Sequence, residues 1–135
     1  MADFFVNTDG GSRGNPGPAA IGIVVYDGDR PVVERKRTIG VATNNQAEYR
    51  ALLWAVHLVE AVATIGDTVT FRLDSELVVK QMRGEYRIKD ADLSILKQQV
   101  EQALSDADFA ATFTHVPRAQ NKAADKLVND ALDGK

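Results

Sequence analysis

Four acidic residues, Asp9, Glu48, Asp74 and Asp125, lie far apart in the chain, yet each falls at the end of an apolar extended run or on the inward side of a helical one. Carboxylates placed this way point to a metal site. Asp9 closes the β-rich run Phe4-Phe5-Val6-Asn7-Thr8-Asp9 and is followed at once by Gly10-Gly11-Ser12-Arg13-Gly14-Asn15-Pro16-Gly17. Bare backbone beside a carboxylate allows a phosphodiester to come close. Drawn together, four carboxylates repel and raise one another's proton affinity, so the apo cluster is strained until hard divalent cations enter, with magnesium the natural guest.

The elements that must position these acids follow from periodicity. Extended segments are expected at Asp3 to Asp9, Ala20 to Tyr26 and Pro31 to Ile39, with Asp27-Gly28-Asp29 as a hairpin turn, which gives an antiparallel meander. Asn44 to about Thr64 reads as a helix ended by Gly66, with Glu48, Leu52, Ala55 and Val59 on one stripe. Glu48 therefore points coreward, where a lone carboxylate needs a proton, a pairing partner or a cation. Thr68 to Asp74 alternates, with Val69, Phe71 and Leu73 on one face and Thr70, Arg72 and Asp74 on the other. Helices follow at Ser75 to Met82 and Asp92 to Ser105, broken by Gly84, and the second carries Leu93, Leu96, Val100 and Leu104 in register. A last strand spans Phe109 to Val116. After Pro117 and Arg118-Ala119-Gln120-Asn121, a final helix carries Asp125, Val128 and Leu132 along one side. The order β-β-β-α-β-α-α-β-α implies a mixed sheet flanked by helices, with sites beyond the carboxyl ends of strands where connections diverge. Pairing the first and fourth strands in parallel makes Asp9 and Asp74 neighbours.

The 135 residues, 44% hydrophobic and 26% charged, fit one domain, 1–135, with a single core. The absence of cysteine rules out disulfides and thiolate zinc sites and fits a reducing compartment. No leader pattern or membrane-length apolar run is seen, and the chain reads as cytoplasmic. The net charge of −3 argues mildly against nucleic acid as a partner. Distribution matters more: Arg83, Arg87, Lys89, Arg118 and Lys122 fall in two segments that read either as a basic rim or as ordinary solvated charge.

Four stretches are informative together: Thr8-Asp9-Gly10-Gly11-Ser12-Arg13-Gly14-Asn15-Pro16-Gly17, Thr43-Asn44-Asn45-Gln46-Ala47-Glu48, Leu73-Asp74-Ser75-Glu76-Leu77-Val78-Val79 and Val116-Pro117-Arg118-Ala119-Gln120-Asn121-Lys122-Ala123-Ala124-Asp125. In order and spacing they resemble the type 1 ribonuclease H family over essentially the whole chain. The resemblance implies a ribonuclease H-like α/β fold with a five-stranded mixed sheet, its first three strands antiparallel and the remainder parallel. It also implies an endoribonuclease that cuts the RNA strand of RNA/DNA hybrids to 5′-phosphate and 3′-hydroxyl ends. Asp9, Glu48, Asp74 and Asp125 match the family's ligands for two Mg2+ ions, with Mn2+ an alternative. Asn15, Asn44, Asn45 and the backbone of Gly10, Gly11 and Ser12 match positions that sense the 2′-hydroxyl, and Thr43 matches one that grips a DNA-strand phosphate. Asn44 reads equally as a helix N-cap, and Asn15 as a turn former. A monomer without protein or membrane partners is the family expectation.

Two departures from the family pattern stand out. Many relatives carry a histidine in the loop before the last acid; this loop has none, since the two histidines are His57 and His115. Arg118, in that loop and permanently cationic, is the candidate to replace it. Some relatives also insert a basic helix and loop where this chain has only Arg83-Gly84-Glu85-Tyr86-Arg87-Ile88-Lys89. That predicts weaker, salt-sensitive hybrid affinity, with Arg83, Arg87 and Lys89 as residual contacts and Tyr86 packing rather than stacking. Trp54 reads as core packing and Ser75 as a helix cap. Two other readings remain: a hybrid-binding module without catalysis, which expects a missing acid, and another two-metal nuclease of the same architecture.

Overall fold

A computed structural model describes residues 1–135. Five strands and four helices alternate in the expected order: β1 (Asp3–Ser12), β2 (Gly17–Asp27), β3 (Arg30–Ala42), α1 (Asn44–Glu60), β4 (Thr68–Leu73), α2 (Glu76–Met82), α3 (Ala91–Ser105), β5 (Ala110–His115) and α4 (Lys122–Leu132), with a 3₁₀ turn at Arg118–Gln120. The sheet order is β3-β2-β1-β4-β5. β1, β2 and β3 pair antiparallel, whereas β4 joins β1 and β5 joins β4 in parallel. This is the five-stranded mixed α/β arrangement that the resemblance implies, its first three strands antiparallel and the remainder parallel. No helix is long and apolar enough to cross a membrane.

The two faces of the sheet are covered unequally. Phe4 and Val6 of β1 and Val69, Phe71 and Leu73 of β4 pack with Tyr49, Leu52, Val56, Val78, Leu93 and Val100 in the main core. This is the strand alternation expected at β4, and α1 contributes Glu48, Leu52, Ala55 and Val59, all buried on its coreward stripe. α4 covers the opposite face over β1, β2 and β3. Glycine permits both close approaches. A Cβ on Gly10 would lie 2.3 Å from the Ala47 carbonyl carbon of α1, and one on Gly22 would lie 2.6 Å from the Ala124 oxygen of α4. Tyr49 ties α1 to α2 by donating its hydroxyl to Gln81 Oε1 at 2.6 Å, both side chains being buried.

Several boundaries differ from the sequence expectations. β1 runs past Asp9 to Ser12, because Gly10 and Gly11 still find ladder partners in Ile21 and Ala20. β3 extends from Arg30 to Ala42, leaving Gly28-Asp29 as the tight turn. α1 stops at Glu60 rather than Thr64: the Asp67 carboxylate captures the Thr64 N–H at 2.8 Å, drawing that residue out of the helix. The N-cap of α1 is Thr43, not Asn44, since Thr43 and Gln46 form a reciprocal capping box. Ser75 caps α2 as expected, accepting from the Val78 N–H at 3.3 Å. Trp54 packs as expected, half-buried against both the main core and the small Ala19–Ile21–Ala42–Ala47–Ala51 cluster, with the Arg37 guanidinium 4.2 Å from its ring centroid. Tyr86 is exposed rather than packed, and Lys80 Nζ sits 4.9 Å above its ring.

Candidate active site

β1 and β4 stay paired only as far as Thr8 and Leu73, so Asp9 and Asp74 lie side by side just beyond the last parallel rung. There β2 continues with β1 while the chain after β4 turns away into α2. Glu48 enters from the first turns of α1, which Gly10 admits against the strand. One carboxylate oxygen from each of Asp9, Glu48 and Asp74 lies within 4.8 Å of the others. Asp125, on the first turn of α4, lines the same cavity but falls outside that tight group of three. Its charge nonetheless reaches Asp9.

The cluster is electrostatically unsatisfied. Asp9 and Glu48 are both buried. Glu48 Oε1 accepts the Gly10 N–H at 3.2 Å, but Glu48 Oε2 is buried without a partner, as is the neighbouring Thr8 Oγ1. Burial, then the charge of Asp74, pushes the Asp9 carboxyl from 3.8 up to about 7. Burial, then Asp9, raises Glu48 well above its ordinary value. No lysine or arginine forms an ion pair with any of the four acids. An orphaned buried carboxylate oxygen among converging oxygen donors fits a hard divalent cation, which supplies the charge and bonds the protein withholds.

Around the acids, a cavity of about 420 Å³ is lined by Gly10, Gly11, Ser12, Asn44, Asn45 and Arg118 among others. Asn44 Oδ1 accepts the Ser12 N–H at 2.9 Å, and the Asn44 N–H donates to Asn15 Oδ1 at 3.0 Å, so the glycine-rich segment and the start of α1 form one polar rim. Arg118, in the turn before α4, stands exposed at the cavity. Thr43 accepts the Gln46 N–H as a cap. Arg83 and Lys89 do not line the cavity: Arg83 donates through Nε and Nη2 to the Phe113 carbonyl at 3.0 and 2.6 Å, and Lys89 is exposed in the link before α3. Neither His57, exposed on α1, nor His115, at the end of β5, lines the cavity.

Sequence reasoning assigned no part to Asn7, Arg72 or Asn121. Asn7 and Asn121 are buried and hydrogen-bonded to each other at 3.0 Å, and Asn121 also reaches Asp74 Oδ2 at 3.2 Å. The available signal was Asn7 itself, a poor strand former set in the middle of an apolar strand on the face that carries Asp9.

A family profile described as Reverse transcriptase-like matches residues 7–131. The crystal structure of RNase H1 from Halobacterium salinarum superposes with a TM-score of 0.92 at 44% identity, covering 98% of this chain and 99% of that one. The chain belongs to the type 1 ribonuclease H family. A second member of that family, LC11-RNase H1 in complex with RNA/DNA hybrid, superposes with a TM-score of 0.94 at 38% identity, with 97% of each chain covered. The curated ribonuclease HI of Halobacterium salinarum is 50% identical over 127 residues, which are 93% of this chain. The chain spans only 62% of that relative's length, and 35% of a bifunctional protein of Mycobacterium tuberculosis that is 46% identical. The chain has neither a helix between α2 and α3 nor a histidine in the turn before α4.

Proposed function

We propose that the chain, as a single ribonuclease H domain over residues 1–135, is an endoribonuclease. It hydrolyses the RNA strand of RNA/DNA hybrids and leaves 5′-phosphate and 3′-hydroxyl ends. The observation that carries this reading is the convergence of Asp9, Glu48 and Asp74 within 4.8 Å, with a buried Glu48 oxygen that no protein group satisfies. The hybrid bound to LC11-RNase H1, a relative of the same fold, supports the substrate class.

In this reading Asp9, Glu48, Asp74 and Asp125 hold two Mg2+ ions, with Mn2+ as the alternative. When bound, such a pair supplies activation of a water nucleophile and neutralises charge on the leaving oxygen. The remaining work falls to the chain's own groups. Because Asn44 Oδ1 is committed to the Ser12 N–H, its amide N–H2 is left to donate to a ribose 2′-hydroxyl. Asn15, Asn45 and the Gly10, Gly11 and Ser12 backbone complete the minor-groove contact, and DNA lacks the hydroxyl that the Asn44 amide would pair with. Thr43 accepts as a cap and keeps its own O–H to donate to a DNA-strand phosphate. Arg118 presents a fixed positive charge to the scissile or product phosphate. Arg83 and Lys89 contribute diffuse, salt-dependent attraction. The same reading has the chain act in the cytoplasm as a monomer on its duplex.

Matched RNA/DNA, RNA/RNA and DNA/DNA duplexes incubated with the protein in magnesium test the proposal. Cleavage confined to the RNA of the hybrid is expected. Cutting of DNA/DNA instead favours another two-metal nuclease, and hybrid binding without cleavage favours a module that has lost catalysis.

A further inference from the structure

Behind the acids, on the face covered by α4, a line of buried and half-buried polar groups crosses the sheet. Arg72 stands two residues before Asp74 in β4, and Asn7 two before Asp9 in β1, and the two are register partners. Arg72 Nε donates to Asn7 Oδ1 at 2.7 Å, and Asn7 Nδ2 donates to Asn121 Oδ1 at 3.0 Å. Asn121 Nδ2 then donates to the Thr8 carbonyl at 2.9 Å and to Asp74 Oδ2 at 3.2 Å. Asn121 is fully buried and Asn7 nearly so, and the Arg72 guanidinium is held over the rings of Phe5 and Tyr26 at 4.8 and 5.4 Å.

We infer that Arg72, Asn7 and Asn121 are positioning residues that fix the Asp74 carboxylate for metal binding. The inference rests on the hybrid-nuclease reading of the site. Direction is what makes this chain of groups a device. Arginine can only donate, so it holds Asn7 with its oxygen toward Arg72 and its N–H2 toward Asn121. Asn121 must then turn its oxygen to Asn7 and its N–H2 to Asp74. At the far end the Thr8 carbonyl and an ionised Asp74 can only accept, which demands the same orientation. Rotating either amide by half a turn sets oxygen against oxygen or donor against donor in a buried site, so both ends enforce one arrangement. One Asp74 oxygen is thereby pinned by Asn121, and the carboxylate is held toward Asp9 and Glu48. Partners behind a ligating carboxylate commonly carry a large share of metal affinity.

Three variants of the full chain test this. In Arg72→Met a methyl replaces Nε, in Arg72→Gln an amide N–H occupies the same place, and in Asn7→Leu the branched shape is kept without donor or acceptor. Mg2+ affinity is measured by calorimetry without nucleic acid, alongside kcat and KM on a hybrid. Arg72→Met and Asn7→Leu are expected to weaken Mg2+ binding by about tenfold or more and to lower kcat with KM little changed. Arg72→Gln is expected to stay within about threefold of the parent, because a neutral donor keeps the orientation with a weaker bond. Parental Mg2+ affinity in Arg72→Met, with only a lowered melting temperature, overturns the inference; should that variant not fold, parental affinity in Asn7→Leu does the same. If the unmodified chain binds Mg2+ but cuts no hybrid, the functional reading fails while the affinities still decide the positioning role.

Discussion

Two buried aspartates sit at opposite ends of the β1–β4 pair and differ in how the protein treats them. Asp67, 6% exposed just before β4, accepts the Ala2 N–H at 2.7 Å and the Thr64 N–H and hydroxyl at 2.8 and 3.2 Å. Those backbone bonds, the Ala2 one foremost, hold its carboxyl below the ordinary value. Asp9, 7% exposed, receives no hydrogen bond from a backbone N–H or a basic group, faces Asp74, Glu48 and Asp125, and is pushed up to about 7. Desolvation and the neighbouring carboxylates raise Asp9, whereas backbone hydrogen bonds outweigh desolvation at Asp67. A buried carboxylate that the fold satisfies is a fastener, and one that the fold leaves unsatisfied is waiting for a ligand from outside.

The largest effect expected from this contrast is on turnover. Asp9→Asn should lower kcat on the hybrid by about a thousandfold or more, of the order seen when a group stabilising transition-state charge is removed. The same change should raise the melting temperature of the metal-free protein, because it removes a charge the fold disfavours. Asp67→Asn should do the reverse, leaving kcat per folded molecule near parental and lowering the melting temperature. An Asp67 variant that is stable but inactive would break the comparison.

The next effect lies in pH dependence. Asp9 binds its proton more tightly folded than unfolded, so metal-free stability should fall as pH rises from about 4 to about 7 and then level, on the order of 2 kcal/mol for this group once coupling is allowed for. Saturating Mg2+ should flatten that decline. Asp67 works oppositely: its contribution is present above about pH 4 and is lost as pH falls below, through its lowered folded value. Melting curves across pH with magnesium or chelator check both signs. A smaller effect concerns the strut between α1, which carries Glu48, and α2, which follows Asp74. Tyr49→Phe leaves the buried Gln81 amide unpaired and should cost about 1–3 kcal/mol, with less loss of activity than any change at the acids. Smallest of all, Lys89→Ala should reduce the salt slope of hybrid binding by about one without altering kcat.

The element order was legible because apolar periodicity is local: β4 alternates over six residues, and the coreward stripe of α1 includes Glu48. The pairing that brings Asp9 beside Asp74 follows from that order. What sequence could not supply is long-range. The Arg72–Asn7 bond spans 65 positions and the Asn7–Asn121 bond 114, and each residue alone reads as a polar group of no particular purpose. The end of α1 was misjudged for a similar reason, since the competitor for Thr64 is the side chain of Asp67. Thr43 as the true cap was readable in its spacing to Gln46, which the Asn44 motif match obscured.

A crystal of the chain soaked in Mn2+ and recorded at the manganese absorption edge decides whether the acids form a metal centre. Anomalous density is expected among the carboxylates of Asp9, Glu48 and Asp74, with Glu48 Oε2 turned to the ion. Density elsewhere, or none at saturating Mn2+ with Glu48 Oε2 bound to a protein donor, would contradict that expectation.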